Sequence, residues 1–369
     1  MKKIMILIIA VLLVVTLPLY AVLFLPGVGG KPTKEDRADY VRRAPNFDGK
    51  AFHNEEEVAV MVKNAGEDEK TASTKDVRPK TALPVMKPSF SATPAEDDFT
   101  VTLFGHSSLL LQVAGKNILL DPVFSEKLSP VSWIGISRFT PCPVTVSDLP
   151  EIDLMILSHD HYDHLDYKVM KEISKKVKRL IVPLGVEAHL RKWKFDMDKV
   201  ENLAWWEESE GEDGLTVACT PAQHFSGRWL TGRNQTLWAS WVLKAGGKQI
   251  FYNGDSGFAS HYERIHEKYG DFDFALMECG QYNKKWASIH SFPEEGGDAM
   301  KILGAHLAMP IHWGAFVLAR HAWDDSVERF SRHAEETGLN FITPKIGETV
   351  DLTKEDLSQF QEKWWRKIE

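Results

Sequence analysis

Cysteine is nearly absent from this chain. Cys142, Cys219 and Cys279 lie far apart, which excludes a disulfide scaffold and a Cys-X-X-Cys metal knuckle. No basic block runs along the sequence and the net charge is −8, so nucleic acid is not expected as a partner. No fixed-period repeat occurs. Charge is missing from residues 4–25, an apolar run broken only by Thr16, Pro18 and Tyr20. Such a run is long enough to span a bilayer. Lys2 and Lys3 ahead of it fit a signal peptide or an uncleaved anchor, and the length favours the anchor. No lipobox cysteine follows, which removes a lipoprotein. The chain is therefore expected to associate with a membrane through residues 1–30, with a cleaved, secreted form as the alternative. Basic residues flank both sides, so the side of the bilayer stays open.

The 369 residues are enough for one large or two modest domains, and 43% are hydrophobic, so a substantial core is available. Residues 31–96 are polar and rich in Pro, Lys, Glu, Asp, Ser and Thr, most of all from 63 onward. Weak local order is expected there, in an extension that tethers the body or wraps around it. The body is expected over 97–369. Strand patterns occur at 99–104, 109–113, 117–120, 152–157, 180–182, 215–219, 237–243, 249–252, 274–277 and 306–309. Helical patterns occur at 166–176, 294–303 and 325–337. Strand after strand runs into a residue able to bind metal: His159, His224, Asp255 and His312. Ligands carried at strand ends are distant in sequence but can converge in space.

The densest of these stretches is His159-Asp160-His161-Tyr162-Asp163-His164. Imidazole and carboxylate together suit zinc. Burying so many such groups without a metal would leave charges and ring nitrogens unpaired. One zinc would leave ligands idle, whereas two use them all. His224 can complete a three-histidine set with His159 and His161. His164 and His312 can join Asp163 on a second ion, and Asp255 can bridge the two.

These residues match the His-X-His-X-Asp-His signature of the metallo-β-lactamase fold superfamily, which the chain resembles over about residues 97–350. More narrowly, it is similar to N-acyl-phosphatidylethanolamine-hydrolysing phospholipase D and its bacterial relatives. The matching pieces include Asp121-Pro122-Val123-Phe124-Ser125, Pro221-Ala222-Gln223-His224-Phe225-Ser226-Gly227-Arg228 and Gly254-Asp255-Ser256-Gly257. His290-Ser291-Phe292-Pro293-Glu294-Glu295 and Ile311-His312-Trp313-Gly314-Ala315-Phe316 belong with them, and a fainter echo lies at Asn46-Phe47-Asp48-Gly49-Lys50. The resemblance implies an α/β fold, an αββα four-layer sandwich with a metal pair at one edge. It implies His159, His161 and His224 on one Zn2+, Asp163, His164 and His312 on the other, and Asp255 between them. Asp121 is implied to orient a ligand imidazole. His290 and His321 are implied near the substrate phosphate or the mouth of the site.

The expected activity is zinc-dependent hydrolysis of N-acyl-phosphatidylethanolamine-type phospholipids to phosphatidic acid and N-acylethanolamine, by attack of a metal-bridging hydroxide. Asp163 would orient the nucleophile. His321 or a water on the metal would protonate the leaving group, and the sequence does not decide between them. A lactonase or phosphodiesterase acting on a small soluble substrate is the alternative, and a non-catalytic metal-binding module comes last. The C-terminal stretch with Phe360, Trp364, Trp365 and basic neighbours fits a membrane interface or tryptophans packed on the core. Oligomeric state is not legible.

Overall fold

The computed structural model describes residues 25–62, 76–131, 134–211, 214–228 and 232–368. The expected membrane segment lies almost wholly outside them. Among the described residues no helix is long and apolar enough to cross a membrane.

Among the described residues fifteen strands form the frame: β1 (Phe99–Gly105), β2 (Ser108–Val113), β3 (Lys116–Leu120), β4 (Lys127–Leu128), β5 (Ile136–Ser137), β6 (Ile152–Ile156), β7 (Val177–Pro183), β8 (Val200–Leu203), β9 (Glu208–Glu210), β10 (Thr216–Thr220), β11 (Ser240–Ala245), β12 (Lys248–Tyr252), β13 (Phe274–Glu278), β14 (Ala308–Ile311) and β15 (Thr349–Asp351). A seven-stranded sheet has the order β15-β1-β2-β3-β6-β7-β8, and a six-stranded sheet the order β14-β13-β12-β11-β10-β9. Strands β4 and β5 make a separate ribbon.

Alternating side chains decide how the layers stack. Leu109, Leu111, Ile118, Leu154 and Ile156 of the first sheet share one core with Val217, Trp241, Leu243, Ile250 and Leu276 of the second. The intervening residues point outward and need cover. On the first sheet Leu110, Leu119, Met155 and Val182 pack with Val169, Met170 and Ile173 of the helix Tyr167–Ile173. On the second, Val242, Phe251, Ala275 and Met277 pack with Ile265, Ala299, Met300, Val327 and Phe330 of three further helices. Burial on both faces explains why β2 and β13 lack a polar alternation. The result is the expected four-layer αββα sandwich.

Direction positions the site. Strands β3, β6 and β7 are mutually parallel, as are β12, β13 and β14, and β10 runs the same way as β12 because both are antiparallel to β11. Their carboxyl ends therefore open at common edges. Strand β14 begins and ends two residues later than the sequence pattern suggests and includes Pro310. It is the end strand of its sheet, where a residue without an N–H is tolerated.

Weak order does not describe residues 34–54. A helix, Lys34–Arg43, starts at a Thr33–Asp36 capping box. It docks through Arg43 on Glu207, Asp36 on Arg191 and the Tyr40 hydroxyl on Glu187. Tyr40, Phe47 and Phe52 stack together, with Phe47 and Phe52 centroids 4.5 Å apart, and all three are buried. Three aromatics in a polar stretch provide the anchoring that average composition conceals. The carboxyl-terminal tryptophans also face inward. Trp364 and Trp365 are buried against Trp313 and donate to Thr343 O and Glu328 Oε2, so they form no exposed membrane-facing belt.

The strap is expected to carry stability. Phe52→Ala should cost roughly 3–5 kcal/mol in urea unfolding. A loss below about 1 kcal/mol would show that the segment is not anchored as described.

Candidate metal centre

The loop after β6 turns back on itself at once, with the N–H groups of His164 and Leu165 both donating to His161 O. This brings the ring atoms His159 Nε2 and His161 Nδ1 to 2.9 Å, and His224 Nε2 lies 3.2 Å from the latter. His224 donates its Nδ1–H to Ile289 O at 2.9 Å. Tetrahedral zinc with Zn–N of about 2.0–2.1 Å separates its ligand atoms by about 3.3 Å, so these three nitrogens are spaced to hold one ion.

A second group faces the first across Asp255. His106, Asp163, His164 and His312 offer ligand atoms within 4.8 Å of one another, as do His159, His161, His224 and Asp255. Asp255 turns one oxygen to each side. Its Oδ2 is 3.8 Å from both His159 Nε2 and His224 Nε2, and its Oδ1 is 3.1 Å from both His164 Nε2 and His312 Nε2. Those short approaches are not aligned as hydrogen bonds. His164 Nε2, His312 Nε2 and Asp255 Oδ1 are buried with no hydrogen-bond partner among the described residues. Buried polar atoms are normally paired. Atoms that crowd one point without bonding each other are the arrangement a cation satisfies, so this donor set fits a divalent metal on both sides of Asp255.

Surrounding groups set the ring orientations. Asp121 takes the Nδ1–H of His164 at 2.6 Å and is itself held by Ser158 N, the Ser158 hydroxyl and the Tyr252 hydroxyl. That leaves His164 Nε2 as the inward donor. His312 sits at φ 70 and Asp121 at φ 36, left-handed conformations that non-glycine residues rarely adopt and that cluster at functional sites. Gly280 passes so close to His312 that a Cβ there would lie 2.0 Å from its carbonyl oxygen.

Electrostatics follow the same pairing. Burial acts to lower the pKa of His312, but facing Asp255 and Asp163 lifts it to about 10. Burial opposes ionisation of Asp255, yet His164 and His312 hold its carboxyl well below the usual range. Burial, aided by His312, pushes His106 down to about 3 against the pull of Asp163.

All seven side chains singled out as ligands from sequence meet here. His290 is also present, in a third group with Asp255, Glu278 and His312, and its Nδ1 pairs with buried Glu278. His321 is not in any of the three groups. It lies behind Gln281, with Nε2 accepting from Gln281 N at 3.2 Å, Nδ1 bonded to Ala322 O and its ring flat on Tyr282. Sequence reasoning missed His106, whose Nε2–H donates to Asp163 Oδ2 at 2.9 Å, and Glu278. The signals were a histidine in the β1–β2 turn and an acid ending an apolar strand. A cavity of about 450 Å³ opens from the cluster. His161, Asp163, Asp255 and His290 form its polar end, and Val60, Met61, Phe225, Trp286, Ile289 and Leu318 its apolar wall.

Comparison with known proteins agrees with this geometry. The Beta-lactamase superfamily domain matches residues 116–313. An uncharacterized protein of Mycobacterium tuberculosis is 39% identical over 78% of this chain and 77% of its own length. The N-acyl-phosphatidylethanolamine-hydrolyzing phospholipase D 1 of Caenorhabditis elegans is 31% identical over 72% of this chain and 79% of its own. Among solved structures, Igni18, a metallo hydrolase from Ignicoccus hospitalis, aligns with a TM-score of 0.53 at 22% identity, covering 68% of this chain and 97% of that one. The chain belongs to the β-lactamase superfamily and is a metal-dependent hydrolase of the metallo-β-lactamase type.

Proposed function

We propose that the protein is a two-zinc phosphodiesterase that hydrolyses N-acyl-phosphatidylethanolamine-type phospholipids to phosphatidic acid and an N-acylethanolamine. The observation that carries this reading is the junction of the paired ligand groups with an apolar cavity. The relatedness to the nematode phospholipase supports the substrate class.

In this reading His159, His161 and His224 would hold one ion, Asp163, His164 and His312 would hold the other, and Asp255 would contribute to both. A bound metal pair supplies a nucleophile from water at neutral pH and positive charge for the phosphoryl oxygens. The chain's own groups do the rest. Asp163, fixed by His106, orients the attacking water and takes up its proton. His290, braced by Glu278, faces the substrate at the polar end of the cavity. His321 acts through Gln281, a cavity-lining residue whose backbone it holds. The apolar wall excludes water and receives an acyl portion. Arg233, exposed over the Phe225 ring at 4.8 Å on the cavity rim, offers a cation to an anionic headgroup. Residues 1–30 would keep this body (97–369) beside lipid, with 31–96 as the strap between them.

Metal-loaded protein should cleave N-acyl-phosphatidylethanolamine in vesicles, lose activity with chelator and recover it with Zn2+. Turnover of soluble diesters or lactones alone would refute the lipid assignment. Asp255→Ala should lower activity by more than about 100-fold and reduce the zinc content. Metal uptake should also release protons. In the metal-free chain His312 titrates at about 10, above neutral pH, so it carries a proton at pH 7 that the metal must displace. Zinc affinity should therefore rise with pH toward about 10. Calorimetric zinc titrations at pH 7 should show heats that scale with buffer ionisation enthalpy, and a zero slope would contradict the assignment.

A further inference from the structure

The loop that carries His224 is held by a residue from outside the catalytic body. Asn54 donates its Nδ2–H to His224 O at 2.8 Å, and its Oδ1 accepts from His224 N at 3.1 Å. One amide thus satisfies both main-chain groups of a single residue. The indole of Trp238, fully buried, donates to the same Oδ1 at 3.0 Å and to Ala222 O at 2.9 Å. That donor fixes which end of the Asn54 amide is oxygen, so the clamp has one orientation. With its main chain held by Asn54 and its ring by Ile289 O, His224 has little freedom left to move Nε2 away from His161.

Asn54 is itself anchored on both sides. Phe52 is buried in the central core and its N–H donates to Asn234 O at 2.7 Å. Beyond it, Glu55 pairs with Arg264, Ser260 donates to Glu56 and Val62 N donates to Lys285 O. The same segment then supplies Val60 and Met61 to the cavity wall.

We propose that Asn54 is a positioning residue for His224, so that the amino-terminal segment completes the three-histidine half of the metal centre. This rests on the two-metal reading above. Removing the amide leaves the His224 N–H and C=O unpaired and lets the ring drift from its two partner histidines. The half formed by Asp163, His164 and His312 has no bond to Asn54 and keeps its geometry.

The test is zinc binding by the chelator-treated full-length chain, measured against a competing chelator. Wild type should bind two zinc ions. Asn54→Ala should weaken one site by about 10–100-fold and leave the other unchanged, in a chain that stays folded. Arg37→Ala is the control for a loosened strap. Arg37 ties the same segment down through Gln235 Oε1 and Lys50 O without touching His224, and its loss should leave both affinities intact. Both sites within about threefold of wild type in Asn54→Ala would overturn the proposal. So would an equal loss in Arg37→Ala, which would assign the effect to docking of the strap. A wild-type chain that binds one zinc would instead overturn the two-metal reading, a result separable from either.

Discussion

Asp255 is the point on which the structure turns. Its two carboxylate oxygens face two sets of imidazoles, at 3.8 Å on one side and 3.1 Å on the other, at the buried end of the cavity. A carboxylate in that position raises the proton affinity of the rings around it, and those rings keep it ionised. Without a cation, protons on His164 and His312 would have to balance the buried carboxylate. The cluster is costly to bury, and the rest of the fold holds it in a geometry that fits a metal.

The sandwich supplies that holding force through strand direction. Strands β6, β10, β12 and β14 each lead at the carboxyl end into a candidate ligand, so the donor atoms inherit the rigidity of two packed sheets. Hydrogen bonds then select the inward nitrogen of individual rings, through Asp121 for His164 and Ile289 O for His224. The polar end of the cavity continues directly from these groups, while its apolar wall is built partly by Val60 and Met61 of the strap. Substrate chemistry and chain organisation are thereby linked: the segment that leads from the amino terminus also borders the site.

Much of this was legible in the sequence because the ligands follow apolar runs. His159, Asp255 and His312 could be read as strand-end residues without knowing how the strands pair, and the helix at 325–337 has the bounds its apolar spacing suggests. What stayed hidden depends on pairing across long separations. His106 is an ordinary turn residue until β1 brings it to Asp163, and Glu278 looks like a strand terminus until His290 meets it. Asn54 has no local signature at all, since its partners lie 170 and 184 residues away. Composition misled where a few residues outweighed their surroundings. Tyr40, Phe47 and Phe52 order a polar stretch, while of the two readings open for the tail the structure shows Trp364 and Trp365 packed on the core.

Diffraction from zinc-loaded crystals at wavelengths on either side of the zinc absorption edge tests the central claim most directly. The account predicts two anomalous peaks about 3.5–4 Å apart, one bounded by His159, His161 and His224 and the other by Asp163, His164 and His312, with Asp255 between them. A single peak, or zinc bound away from Asp255, would contradict it.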